Sequence, residues 1–224
     1  MSRYISLPFR NRLEAGRFLA RRLASYADRK DADVIVLGLA RGGVPVGYAV
    51  ARALNVPLDV LVVRKLGVPG HEELAMGAIA SGMVRVLNRD VLAHVPNPAA
   101  TLEDVTARED REMGRRERQY RDSRIAQDLE HKIVILTDDG LATGATMRAA
   151  VMSLRQRKIA RCVVAVPVGP PDTCAKMQNE ADEVICGVTP EPFYGVGQFY
   201  KDFSQTTDKE VRNFLSRSAK GMGR

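Results

Sequence analysis

Apolar residues follow two rhythms along this chain. Short unbroken runs read as buried strands: Val34-Ile35-Val36-Leu37, Leu58 to Val63, Ile133-Val134-Ile135-Leu136, Cys162 to Val168 and Glu183 to Val188. Between them, helices are predicted over Phe9 to Tyr26, Gly43 to Leu54, Ala145 to Arg157, about Asp172 to Glu180, and Asp208 to Leu215. In the first, Phe9, Leu13, Phe18, Leu19 and Leu23 keep a roughly helical spacing. Ala75 to Ala80 and Met83 to Leu87 read as a hairpin around Ser81-Gly82. Strands alternating with helices predict an α/β fold, a parallel sheet flanked by helices. Ligands in such sheets gather beyond the carboxyl ends of the strands, so the chemistry is expected just after Leu37, Val63, Leu136 and Val168.

One stretch breaks this alternation. Val95-Pro96-Asn97-Pro98 interrupts the chain, and Thr101-Leu102-Glu103-Asp104 can cap a helix that runs to about Ala126. Arginines at 108, 111, 115, 116, 118, 121 and 124 face Glu109, Asp110, Glu112, Glu117 and Asp122. That pattern suits a solvated face laced with i,i+4 pairs. It also suits a lid or dimer contact that brings an arginine to a phosphate.

Composition narrows the function classes. At 224 residues and 45% hydrophobic, the chain can bury a substantial core, so disorder throughout is excluded. No apolar run reaches the roughly 18–20 residues that span a bilayer. The Arg-rich start lacks a signal-peptide core, and the expectation is a soluble cytoplasmic protein. Cys162, Cys174 and Cys186 form no CxxC, and the odd count argues against a disulfide framework or a zinc site. His71, His94 and His131 form no HxxxH pair. The net charge of +7 suits an anionic ligand. Aromatic residues make up only 5%, with no Trp, which leaves few stacking platforms for single-stranded nucleic acid.

Two loops carry the candidate chemistry. Gly38-Leu39-Ala40-Arg41-Gly42-Gly43 follows the first strand; it is neither GxGxxG nor a Walker motif, yet its amides, a helix start and Arg41 can hold an anion. Thr137-Asp138-Asp139-Gly140-Leu141-Ala142-Thr143-Gly144-Ala145-Thr146 follows the third and opens a helix. Adjacent carboxylates offer acceptors for a sugar diol, and the Thr/Gly run offers hydroxyls and amides to a phosphate. Together they have the profile of a ribose-5-phosphate cradle. Arg64-Lys65-Leu66-Gly67-Val68-Pro69-Gly70-His71-Glu72-Glu73, after the second strand, reads as a mobile charged loop.

The string from Ile133 to Thr146 resembles the phosphoribosyl-pyrophosphate (PRPP) signature of type I phosphoribosyltransferases, and Gly38 to Gly43 resembles that family's pyrophosphate loop. The resemblance covers roughly Val34 to Val168. The C-terminal string Thr189-Pro190-Glu191-Pro192-Phe193, with Gly197, Phe199-Tyr200 and Asp202 to Gln205, is similar to an uncharacterised bacterial and archaeal branch. The resemblance implies a five-stranded parallel sheet with a small hood and an inserted charged helix, all in one domain over 1–224. Its core would span about 31–90 and 131–188, the insertion about 96–127, the hood about 1–30 and 189–206, and a basic tail about 216–224.

The resemblance also implies roles. Asp138 and Asp139 would hold the ribose hydroxyls, and Ala142, Thr143, Gly144, Ala145 and Thr146 the 5-phosphate. Ala40, Arg41, Gly42 and Gly43 would hold pyrophosphate, with a cis Ala40–Arg41 peptide, joined by Arg64 and Lys65 from a flexible lid. Asp138, Asp139, Lys65 and Arg41 would be the catalytic set. His71 is an acid, base or phosphate contact, or a solvated loop histidine. Phe193 and Tyr194 would stack on the acceptor. Magnesium would be held mainly by substrate oxygens near Asp138 and Asp139, with no protein cage.

The implied reaction transfers the 5-phosphoribosyl group of PRPP to a nitrogenous acceptor, a nucleobase foremost, with release of pyrophosphate, as in nucleotide salvage. Ala142 stands where the 6-oxopurine branch has an acidic base, which argues against hypoxanthine or guanine and resembles the adenine and orotate branches. Phe193 to Phe203, however, is similar to the 6-oxopurine hood, so the acceptor stays open. The alternative is a PRPP- or nucleotide-sensing regulator that binds nucleic acid or a protein partner. A homodimer is also open.

Overall fold

The computed structural model describes residues 7–27, 33–81, 84–121 and 125–221. Helix α1 (Arg12–Arg22) leads to β1 (Val34–Leu39), α2 (Gly43–Leu54) and β2 (Leu58–Leu61). Then come β3 (Val63–Val68), β4 (His71–Ala80), β5 (Val84–Leu87), α3 (Arg89–Leu92) and α4 (Pro98–Arg121). The second half runs β6 (Ile133–Thr137), α5 (Ala145–Arg155), β7 (Arg161–Val168), α6 (Pro171–Met177), β8 (Glu183–Val188) and α7 (Asp208–Gly221).

The five strands expected from the apolar runs form one parallel sheet in the order β2-β1-β6-β7-β8. Helices cover both faces, which is why β1 and β6 are buried along their whole length. The two-residue period divides each strand between two layers. Val36, Ile135 and Val163 face α1, α2 and α7, whereas Leu37, Leu136 and Val164 face α5 and α6. Truncating the fully buried Ile135 to alanine would cost about 2–5 kcal/mol. A third cluster, with Phe9, Phe18, Val168, Phe199 and Tyr200, binds the start of the chain to the segment after β8. There Phe9 N–H donates to the Phe199 carbonyl at 2.8 Å, and Lys201 N–H to that of Phe9 at 2.7 Å. This hood sits at the carboxyl end of the sheet.

Three expectations need correction. The stretch Arg64 to Glu73 is not an irregular loop: β3 and β4 pair antiparallel, with Lys65 opposite Ala78, and β5 completes a second, three-stranded sheet. Leu66 and Met76 are fully buried and fasten this hairpin to the core, and only Pro69-Gly70 turn between strands. The Ser81-Gly82 hairpin connects β4 to β5 as expected, with Gly82 and Met83 outside the described residues. Helix α4 starts at Pro98, so Thr101 lies inside it and its hydroxyl donates to the Pro96 carbonyl at 3.0 Å instead of capping. Leu102, Val105, Met113 and Tyr120 bury one face of α4, while Glu112 pairs with Arg115 and Arg116 on the outer side. Third, Cys174 and Cys186 form a disulfide with Cα atoms 6.4 Å apart. The crossover through α6 returns β8 beside the helix, an adjacency that the spacing of cysteines does not reveal.

Among the described residues no helix is long and apolar enough to cross a membrane.

Candidate functional site

The turn after β1 and the loop after β6 lie against one another. Thr137, fully buried at the end of β6, donates its hydroxyl to the Gly43 carbonyl at 3.2 Å. This ties the start of α2 to the central strand. The Ala40–Arg41 peptide is cis, as the family resemblance implies. A side chain at Gly42 would collide with Asp139 Oδ2, so the absence of a Cβ lets the carboxylate approach the arginine turn. Leu141 N–H donates to the Val168 carbonyl at 2.8 Å and anchors the threonine loop across the sheet. Gly144 precedes α5 at φ +76°, a left-handed conformation that glycine adopts without strain. Thr143 and Ala145 are exposed there, and no side chain caps α5 closely: the contact of Ala145 N–H with Thr143 Oγ1 is 3.5 Å. The first amides of α5 are therefore open to an anion.

The carboxylate pair is the electrostatic centre. Asp138 Oδ1 accepts the Asp139 N–H at 2.9 Å. Burial pushes the Asp138 carboxyl well above the usual range, and the charge of Asp139 pushes the same way. Burial also raises Asp139, against the opposing pull of Arg12. Arg12 Nε donates to Asp139 Oδ2 at 2.8 Å from the first residue of α1. Tyr200 donates its hydroxyl to the Asp139 carbonyl at 2.6 Å; burial, then Asp139, raises its pKa and keeps it a neutral donor.

The predicted cations separate into different roles. Lys65 is exposed and lines a groove of about 520 Å³ together with Ala145 and Thr146, so the structure brings it to the threonine loop. Arg64 points elsewhere: its Nε and Nη2 donate to Glu109 Oε2 at 2.8 and 2.5 Å. Glu109 is buried on α4, which makes Arg64 a fastening between that helix and β3. Arg41 Nη1 lies 3.6 Å from Asp208 Oδ1 at the start of α7, and Tyr120 donates to the same oxygen at 2.8 Å. His71 is exposed at the start of β4.

The aromatic candidates also divide. Phe193 packs on Phe199 with ring centroids 5.3 Å apart, inside the hood cluster, and Tyr194 stands 87% exposed. The rings linked to the carboxylates are Tyr200 and Phe203, which hold the Arg12 guanidinium at 6.0 and 4.1 Å from their centroids. Sequence reasoning missed Arg12 altogether. The one available signal was an arginine at the start of a helix otherwise read as amphipathic, and nothing local tied it to an aspartate 127 residues away.

Comparison with known proteins agrees with the fold. The model of the phosphoribosyl transferase domain matches residues 10–200. Curated relatives in two strains of Mycobacterium tuberculosis, whose names place them provisionally among phosphoribosyl transferases, are 48% identical over 210 residues. Those matches cover 94% of this chain but 47% of the relatives, so the chain spans about half their length. The crystal structure of TT1426 from Thermus thermophilus superposes with a TM-score of 0.82 at 39% identity, covering 94% of this chain and 99% of that one. The AQ2163 protein from Aquifex aeolicus shares the fold alone, at 12% identity and a TM-score of 0.50, over 91% of this chain and 85% of its own. With its parallel sheet, its paired aspartates and a family match running from the hood through the last strand, this chain belongs to the phosphoribosyl transferase domain family.

Proposed function

We propose that the chain is a PRPP-dependent phosphoribosyltransferase with a nitrogenous acceptor. The observation that carries this reading is the contact of the two loops: Asp139 lies against Gly42 of the arginine turn, and the open start of α5 stands at the end of the same loop. One surface thus offers carboxylates for sugar hydroxyls, amides for a terminal phosphate, and an arginine turn for a leaving group.

The chemistry follows from where charge develops. The bond between ribose C1 and pyrophosphate breaks, and its electron pair leaves with pyrophosphate. A nitrogen lone pair forms the new C1–N bond, and the acceptor proton passes to solvent or to the leaving group. The ring passes through oxocarbenium character, as in glycosyl transfer generally. Asp138 and Asp139 orient the ribose; Arg41 and the Gly42 and Gly43 amides stabilise the departing charge, with Lys65 reaching in from β3. The amides of Ala142 to Thr146 hold the 5-phosphate. A nucleobase is the acceptor most consistent with the aromatic hood, in which Phe193 and Tyr194 are the proposed stacking residues.

The donor set also suits magnesium. Among the described residues no three His, Cys, Asp or Glu side chains stand together as a cage. Two hard carboxylates beside substrate oxygens match an ion that keeps much of its hydration. Asp138 and Asp139 would hold it jointly with PRPP, and it would supply charge neutralisation to pyrophosphate.

The test is pyrophosphate release from PRPP across a panel of nucleobases and small amines. Release that depends on one acceptor supports the reading, and its loss in the Asp138→Asn, Asp139→Asn double variant, still folded by circular dichroism, supports the assigned roles. An absence of PRPP-dependent release with every acceptor would count against the enzyme and favour a sensor.

A further inference from the structure

Two segments far apart in the chain converge on Asp139 from the hood side. Arg12 is only 11% exposed, although it is the first residue of a surface helix. Its Nε is committed to Asp139 Oδ2, its Nη1 donates to the Ser204 carbonyl at 2.7 Å, and its guanidinium face lies on Phe203. Tyr200 makes the second tie, to the Asp139 carbonyl. The backbone pairing of Phe9 with Phe199 and Lys201 joins the two segments directly behind these contacts. A guanidinium desolvated to this extent, with a carboxylate, a carbonyl and a ring all satisfied, is built into the site and does not merely decorate the surface.

We infer that Arg12 is a positioning residue: it aims Asp139 and locks the hood to the carboxylate pair, so the sugar site is complete only with the hood docked. The inference takes its substrate from the transferase reading, but its geometry stands apart from it. Arg12 holds Asp139 Oδ2. The groups facing Asp139 are Asp138 from its own loop, Arg12 from α1, the Tyr200 phenol from the hood and the backbone of Gly42; Asp202 and Glu210 share the field of Arg12. Among these Arg12 is the cation. Removal of Arg12 therefore frees the Asp139 carboxyl and releases the Ser204 and Phe203 contacts that hold the hood to it.

The experiment compares wild type with Arg12→Gln and Arg12→Lys, and with Arg10→Gln as a surface control. Two readouts are followed: PRPP affinity by calorimetry, and hydrogen exchange of the Phe9 and Lys201 amides that pair the two hood segments. In Arg12→Gln, PRPP affinity is expected to fall about tenfold at neutral pH, the scale of one charged hydrogen bond lost from a buried group. Exchange of both amides should accelerate in the same variant. Arg12→Lys should restore affinity in part, since it keeps the charge but not the fork or the ring contact. It also guards against Arg12→Gln failing to fold. Unchanged PRPP affinity in folded Arg12→Gln, or a loss of affinity that Arg12→Lys does not relieve and that leaves both amides unchanged, would overturn the inference and leave Arg12 a packing residue. Wild-type protein that binds no PRPP would sink the transferase reading, while the amide exchange would still decide the role of Arg12.

Discussion

Arg41 Nη1 and Asp208 Oδ1 stand 3.6 Å apart, so the cation proposed for pyrophosphate is already paired with the start of the last helix. Tyr120 donates to the same Asp208 oxygen, which links the arginine turn to α4 as well. A ligand anion must compete with Asp208 for the guanidinium. Both side chains are a little under a third exposed, so the pair contributes less than about 1 kcal/mol. Asp208→Asn should therefore tighten pyrophosphate binding by about twofold to fivefold. Product-inhibition constants measure this, and weaker inhibition in the variant would show that Asp208 supports the grip of Arg41.

Gly42 predicts a sharper effect. The turn holds it against the Asp139 carboxylate, and a methyl group there has no room. Either the turn or the carboxylate must move, at an overpacking cost of about 1–3 kcal/mol. Gly42→Ala should raise the KM for PRPP by roughly tenfold to a hundredfold, the same energy read as binding. Thermal melting of the variant separates this from general unfolding. A normal KM would mean that the two loops do not meet over the substrate.

What was legible in the sequence, and what was not, follows from the range of each interaction. Strands buried on both faces need unbroken apolar runs, so Val34 to Leu37 and Ile133 to Leu136 announced themselves. The carboxylate loop was legible because its donors and acceptors are consecutive. The β3–β4 hairpin was obscured because Pro69 and Gly70 suggest an irregular loop, although they form only the turn; the burial of Leu66 and Met76 is a tertiary fact. Arg64 and Lys65 are adjacent, and the pleat sends them to different places: one to Glu109, the other to the groove. The Arg12–Asp139 pair and the Cys174–Cys186 bridge depend on chain segments that meet only after folding.

That divergence of neighbours makes a paired prediction. Arg64→Met leaves the buried Glu109 short of its closest cation, with Arg108 Nε at 3.2 Å as the remaining contact. It should destabilise the protein by about 1–3 kcal/mol in denaturant unfolding. Lys65→Met removes an exposed charge at the groove and should leave stability within about 0.5 kcal/mol of wild type. Its effect should instead be on PRPP turnover. The reverse pattern, with Lys65 essential for stability and Arg64 for turnover, would reassign the two cations.

The Cys174–Cys186 bridge closes a loop over a sequence separation of 12 and fastens α6 to β8. That loop encloses the turn after α6, so opening it returns conformational freedom mainly to the unfolded chain, worth about 3 kcal/mol for a loop of this size. A dithiol reductant, or Cys174→Ser with Cys186→Ser, should lower the unfolding free energy by about that amount. Cys162 does not confuse the assay: it is buried, and burial pushes its thiol up to about 12, so it stays protonated and unreactive in the native state. Thiol titration of the native protein should find no reactive cysteine before reduction. After reduction, the half-buried Cys186 should react ahead of the buried Cys174. Two thiols reactive without any reductant, together with a denaturation midpoint indifferent to it, would show that the bridge does not form in solution.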